Sequence, residues 1–196
     1  MTTTQTQTDR PDPATEVAGP ILIPDPIEGR GPAGVPVFGH TNEGALAQLA
    51  AIDASVLEAM SIPQVREVHT EWAQSGGPAF EDWDLTQNVT AFLRGARQGA
   101  SKDVTTTVAV TPTGGMVKGT DGPDWVLACV LLDVQATIQT TYRMGWANCQ
   151  RMQWAGDRWQ IGPGAQPAKA PSAWPGSKAA LAAGWLTWTP NERSRR

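Results

Sequence analysis

The sequence has few of the side chains that most often bind metals or act as nucleophiles and bases. Its 196 residues include two cysteines and two histidines. Neither cysteine belongs to a CxxC motif, and no Ser-His-Asp or Cys-His set can be assembled. His40 is interpreted as a local hydrogen-bonding residue and His69 as a packed one. The sequence therefore predicts no catalytic residue, no metal and no cofactor, and favours a non-enzymatic protein.

Export signals, membrane spans and basic stripes are also missing. The N-terminal "MTTTQTQTDRPDPATEVAGP" has neither the basic start nor the apolar core of a signal peptide, and the apolar run at 125–132 is too short to cross a bilayer. With 15 basic and 19 acidic residues, the formal net charge is −4. No stripe of Lys and Arg is present to neutralise phosphates. We expect a cytoplasmic protein that binds no nucleic acid and has no direct membrane span.

Composition divides the chain into a core and two extensions. Residues 1–34 are rich in Thr, Gln, Pro and Gly and cannot repay the entropy of ordering, so we expect an extended arm that is disordered when free. Residues 35–162 hold the periodic segments and form the predicted core. Residues 163–196 are predicted to form an extended segment with a short helix and a basic tail.

Three helices are predicted in the first half of the core, because apolar residues recur there at three- and four-residue steps. The first extends over about 18 residues after a cap at Thr41 or Asn42. The second starts at Ser61 and Pro63 and stops at "SGGP". The third covers residues 83–97.

Strands are predicted after the helices, because apolar residues then recur at every second position. Residues 103–110 are predicted to form a strand, 111–115 a turn and 116–119 a short return strand. Residues 125–134 are apolar on both faces, which is typical of a central strand, and 142–154 form a long strand. Helices followed by antiparallel strands predict an α+β fold, with the helices covering one face of a curved antiparallel sheet.

A tryptophan-rich hairpin is predicted at the end of the long strand. Gly156 and Asp157 fit the centre of a two-residue turn, because glycine accepts the positive φ that such turns require. That register sets Trp154 opposite Trp159, an aromatic cross-strand pair that contributes roughly 0.2–1 kcal/mol. Packing then explains the hairpin without a catalytic role.

The two cysteines lie on the predicted central strands. If these strands form a hairpin with its midpoint near Gln139, Cys129 and Cys149 lie directly opposite each other. A cross-strand disulfide is then possible geometrically, whereas a reducing cytoplasm favours two buried thiols. Both states stay open.

A candidate pocket lining is suggested by one polar residue in an apolar strand. If Asp133 is buried, it either pairs with a cation such as Arg143 or Arg151 on the neighbouring strand or has a raised pKa. Otherwise it lies at the solvated end of its own strand. If the protein has a pocket, its most plausible lining is Asp133, Tyr142, Arg143 and Trp146.

Four stretches resemble an actinobacterial protein family associated with integrated conjugative elements, plasmids and phages. They are "GVPVFGHTNEGALAQLAAIDASVL", "KGTDGPDWVLACVLLDVQAT", "CQRMQWAGDRWQIGPG" and "APSAWPGSKAALAAGW", at residues 34–57, 118–137, 149–164 and 170–185. The order of elements also resembles the nuclear-transport-factor-like (cystatin-like) cone. That fold is shared by ligand pockets and by soluble domains of conjugation and type IV secretion proteins.

The resemblance implies a protein–protein interaction domain in a mobile-element assembly, as an accessory protein of conjugation or type IV secretion. Its arms and open sheet would then dock on protein partners or on further copies of the chain. Two alternatives stay open. One is a structural or decoration protein of a phage virion, and the other is a small-molecule or enzymatic pocket in the mouth of the cone.

Overall fold

A computed structural model describes residues 18–191 of the chain. Within this range the structure contains four α-helices and six β-strands. In chain order they are β1 (Pro20–Ile23), α1 (Asn42–Ala59), α2 (Ile62–Trp72), α3 (Asp84–Gly95), β2 (Thr107–Thr120), β3 (Trp125–Thr137), β4 (Thr141–Trp154), β5 (Trp159–Ile161), α4 (Lys178–Ala182) and β6 (Leu186–Pro190). Residues 1–17 and 192–196, which belong to the predicted arm and tail, lie outside the described residues.

The three predicted helices of the core are present. Thr41 caps α1, because its Oγ1 accepts a hydrogen bond of 2.9 Å from the Gly44 N–H. Met60 ends α1 with a left-handed φ of 41°. Lys102 Nζ then donates to the Ala59 carbonyl at 3.1 Å, which satisfies an unpaired group in the last turn of the helix.

The sheet has the order β1-β6-β2-β3-β4-β5 and is mixed. The α+β prediction is therefore confirmed, but the prediction of a purely antiparallel sheet is wrong at one edge. There β1 and β6 run parallel, with Ile21 opposite Trp188. The two strands come from distant parts of the chain, and no short turn constrains their direction.

The predicted turn at residues 111–115 is wrong, because β2 continues through it as one strand. Pairing with β3 persists from Thr107 to Thr120, with register shifts at two points. The glycines serve close packing instead of a turn. A Cβ on Gly114 would lie 3.2 Å from the Leu131 Cβ and 3.3 Å from the Leu186 carbonyl oxygen, so a larger residue would press against β3 and β6.

Strand β2 also begins later than predicted. The side chain of Asp103 accepts hydrogen bonds of 2.9 Å from the N–H groups of Thr105 and Thr106. These bonds close a turn where the sequence predicts the first residues of the strand. The hydrogen bond from the Thr105 hydroxyl, together with these N–H bonds, lowers the pKa of Asp103.

The terminal segments are built into the sheet as far as they are described. Ile21 and Ile23 are buried in the main core, and β6 lies between β1 and β2. The predicted arm therefore includes an edge strand, and the predicted C-terminal segment includes an inner strand. No helix in residues 18–191 has the length and apolar content needed to cross a membrane.

Strands β3 and β4 bury both of their faces. Even-numbered β3 residues such as Val130 and Leu132 face the helices and belong to the main core. The odd-numbered residues Cys129 and Leu131 belong to a second cluster beneath residues 170–185, where Ala180 and Trp185 are buried. This second layer explains why the β3 sequence is apolar on both faces.

Candidate functional site

A groove of about 490 Å³ opens to solvent between α2 and α3. Ile62 and Arg66 of α2 line one side, and Ala91 and Arg94 of α3 line the other. Phe80, from the loop between these helices, also lines the groove. Residues three or four positions apart share one helix face, so each helix turns a continuous stripe towards the groove.

Aromatic contacts hold one basic side chain of the groove. The guanidinium carbon of Arg66 lies 3.9 Å from the ring centroid of Phe80. The ring of His69 packs edge-on against the same phenyl ring, with centroids 5.6 Å apart. His69 Nε2 in turn lies 2.9 Å from the Pro78 carbonyl oxygen. His69 therefore anchors the loop that carries Phe80.

The charged groups of the groove are not paired with one another. Neither Arg66 nor Arg94 belongs to any of the ion pairs found within residues 18–191. Glu81 lines the groove as well, so the lining carries two basic side chains and one acidic side chain. Two guanidinium groups are thus available to an anionic ligand.

The predicted pocket residues are divided between the two faces of the sheet. Arg143 Nε donates to both carboxylate oxygens of Asp133, at 2.8 and 3.0 Å, and its Nη2 also contacts that carboxylate. This pair lies on the odd face, where Arg143 approaches Trp174. Tyr142 and Trp146 lie at even positions of β4. Strand alternation therefore places Asp133 and Arg143 on one face of the sheet and Tyr142 and Trp146 on the other.

A buried carboxylate lies between α1 and β4. Asp53 is 0 % exposed, and Asn148 Nδ2 donates a hydrogen bond of 2.9 Å to its Oδ1. Within the described residues Oδ2 of Asp53 has no partner, and neither has Nε2 of the buried Gln150. Burial raises the pKa of Asp53 well above its usual value. The hydrogen bond from Asn148 lowers this pKa, and the charge of Asp84 raises it further.

The sequence contained a signal for this buried group. Asp53 lies four residues after Leu49 and three before Val56, on the apolar stripe of α1. Asn148 and Gln150 likewise interrupt the even face of β4, which packs against the helices. Polar residues at core positions of two facing elements indicate an internal polar contact.

Replacement of Asp53 by Asn should stabilise the protein at neutral pH and have little effect in acid. Because the folded-state pKa is raised, the folded protein holds a proton that the unfolded chain releases. Stability therefore falls as pH rises above about 4, where an unfolded Asp titrates, and the loss is complete above the folded pKa. Each pH unit between the unfolded and the folded pKa of Asp53 costs about 1.4 kcal/mol of stability, and Asn avoids this loss because it does not titrate.

Urea unfolding at about pH 4 and pH 7 measures this difference. Glu67→Gln is the control, because it removes one exposed carboxylate from α2. An Asp53→Asn protein that is less stable than the parent at pH 7, or equally stabilised at both pH values, contradicts the prediction.

The two cysteines form a disulfide in the structure. Cys129 and Cys149 are paired across β3 and β4, with their Cα atoms 4.1 Å apart. Both are buried beneath the C-terminal segment. This segment lies against the strand at Gly145, where a Cβ would be 2.0 Å from the Ala173 carbonyl oxygen. The disulfide is therefore sealed from solvent by the segment that follows β5.

The hairpin tryptophans pack with His40. Trp154 pairs with Trp159, and the Gly156 φ of 84° forms the turn together with Asp157. The His40 ring stacks on Trp154, with centroids 4.3 Å apart. His40 Nε2 lies 2.7 Å from Asp124 Oδ1. These contacts attach the start of α1 to the sheet.

Comparison with known proteins gives no match. No model of a protein family, no curated protein and no solved structure matches this chain.

The described residues contain no group of three or more His, Cys, Asp or Glu side chains arranged to hold a metal ion.

The α2–α3 groove is the site with the chemistry of a docking surface, since it combines apolar side chains with unpaired charge. Sequence reasoning missed it because its sides come from residues about 30 positions apart, and each helix by itself has an ordinary amphipathic pattern.

Proposed function

We propose that this chain is a non-enzymatic protein–protein interaction domain of a larger assembly, and that it docks a partner segment in the α2–α3 groove. The observation that carries the proposal is the groove itself. It is open along two helices and joins apolar side chains to two unpaired guanidinium groups. Grooves of this kind accept a segment of another protein, with apolar anchors between charged contacts.

Strand addition at the sheet edge is a less suitable docking mode for this chain. The Gly19 carbonyl accepts a hydrogen bond from Thr187 of β6, and the Ile23 carbonyl accepts one from Asn191 directly after it. The alternate residues Pro20, Leu22 and Pro24 therefore direct their backbone outwards. Two of these three residues have no N–H. Prolines at an edge strand oppose pairing with another chain.

An enzymatic pocket is also less well supported than docking. Asp133 and Arg143 neutralise each other in an ion pair, and the aromatic residues expected beside them lie on the opposite face.

We further propose that the assembly belongs to a mobile element, where the domain serves as an accessory protein of conjugation or type IV secretion. This part of the proposal is supported by the family resemblance of the sequence.

A substitution that fills the groove tests the docking role. Ala91 is exposed on α3, and Ala91→Trp places an indole in the groove without adding charge. Proteins captured by the full chain from cells that carry its genetic element are identified, purified and titrated against it. We expect Ala91→Trp to weaken binding at least tenfold, or about 1.4 kcal/mol.

Ala179→Trp is the matched control, because Ala179 is exposed on α4 and does not line the groove. It should bind as the parent does. A partner that binds Ala91→Trp and the parent equally would show that the groove is not the docking site. A chain that binds no protein would contradict the interaction role.

A further inference from the structure

We infer that the α2–α3 groove recognises a short acidic segment of its partner, with an apolar side chain placed between the acidic ones. This inference rests on the docking role proposed above and adds the chemistry of the partner. It is drawn from the charge, stacking and length of the groove.

Charge is the first reason. The chain as a whole has a formal net charge of −4, whereas the groove lining carries Arg66 and Arg94 against Glu81. The groove is thus a locally basic surface on an acidic protein. Guanidinium groups bind carboxylates through two parallel hydrogen bonds, which gives geometric specificity in addition to attraction.

Stacking is the second reason. The Arg66 guanidinium lies over the Phe80 ring, so its hydrophobic face is covered while the N–H groups at its edge stay free to donate. Because Phe80 is itself held by His69, little side-chain freedom is lost when a carboxylate binds. Arg66 is therefore preorganised for an acidic ligand.

The apolar part of the lining is the third reason. Ile62, Phe80 and Ala91 line the groove together with the two arginines. Thr86 lines the groove as well and is only 7 % exposed. An apolar side chain of the partner would cover this surface.

The length of the groove limits the segment. The groove-lining stripe of α3 starts at Thr86 and ends at Arg94. At a rise of 1.5 Å per residue this stripe is about 12 Å long. Two turns of helix, or about three to four extended residues, match that length. The recognised segment therefore has room for one apolar side chain with an acidic residue on either side.

Three labelled peptides test the inference by fluorescence anisotropy with the full chain. The first is a peptide in which one Leu lies between Glu residues. The second has Gln in place of Glu, and the third has Ser in place of Leu. We expect the first to bind at least tenfold more tightly than either counterpart, and its affinity to fall as salt is added.

Charge-reversed proteins complete the test. Arg66→Glu/Arg94→Glu should weaken binding of the acidic peptide at least tenfold, whereas Lys118→Glu, an exposed change on β2, should not. Circular dichroism shows that each variant is folded. Equal binding of the Gln peptide, full binding by the double variant, or no binding of any peptide overturns the acidic preference.

These failures are distinguishable from failure of the docking role. If the Gln peptide binds equally well and Ala91→Trp abolishes its binding, the groove remains the docking site and the acidic preference is wrong. If the native partner binds Ala91→Trp as tightly as it binds the parent, the docking role itself is wrong.

Discussion

Replacing Trp159 by alanine should lower the free energy of unfolding by about 3–5 kcal/mol, the range for truncation of a buried aromatic residue. The Trp159 side chain is 0 % exposed. Its ring packs edge-on against Trp154 and His40, with centroids 5.5 Å apart in each case. The indole N–H also donates to the Gly39 carbonyl at 3.0 Å. Truncation would leave a cavity and remove this hydrogen bond, while the Gly39 carbonyl would still accept from the Thr41 N–H.

Equilibrium unfolding in urea, followed by far-UV circular dichroism, measures this loss. Trp159→Phe separates its two components, because it retains most of the ring and removes the N–H. It should cost less than the alanine variant. An unchanged urea midpoint for Trp159→Ala would show that the hairpin is peripheral to the cooperative core.

Loss of the disulfide should have the second-largest effect. A Cys129→Ala/Cys149→Ala protein is expected to be less stable by about 3 kcal/mol, because a crosslink across a loop of this size restricts the unfolded chain. The two cysteines are 20 positions apart in the sequence. Both lie inside the sheet, so the folded structure should tolerate the small replacement side chains.

A reductant provides the control for the disulfide experiment. Dithiothreitol during unfolding should bring the parent close to the double-alanine protein and leave that variant unchanged. Because residues 170–185 bury the disulfide, the folded parent should react slowly with the reductant. Equal stability of the oxidised parent and the double variant would contradict the stabilising role.

Much of the architecture could be predicted from local sequence pattern. The three-residue and four-residue spacing in α1, α2 and α3 depends only on neighbouring residues, and so does the alternation in β4. The pairing of Cys129 with Cys149 could be predicted once the midpoint of the hairpin between β3 and β4 was placed near Gln139. Each of these features is determined within a short segment of the chain.

The wrong predictions of the fold concern contacts between segments that are far apart in the sequence. Residues 111–115 have the composition of a turn, but in the structure they continue β2, and Gly114 lets β3 and β6 approach that strand closely. The parallel pairing of β1 with β6 joins positions more than 160 residues apart, and no local period indicates it. Local turn preference is weaker than the pairing of a strand along its whole length.

The site was the least predictable part. The alternation of β4 already placed Tyr142 and Arg143 on opposite faces, so the proposed pocket lining combined side chains that a strand separates. The groove instead depends on how α2 and α3 lie side by side and on where their loop places Phe80. Helix packing of this kind has no signature in either helix alone.

The position of β6 also has a consequence for the order of assembly during synthesis. β1 is the first of the six described strands to leave the ribosome, yet its neighbour in the described sheet is β6, the last of the six to be made. Until β6 emerges, the edge of β2 at Gly114 and Gly115 also lacks its partner. Helices α1 to α3 and strands β2 to β5 can pair beforehand. A nascent chain that stops before residue 186 therefore lacks two strands of the sheet, although only one of them has been deleted.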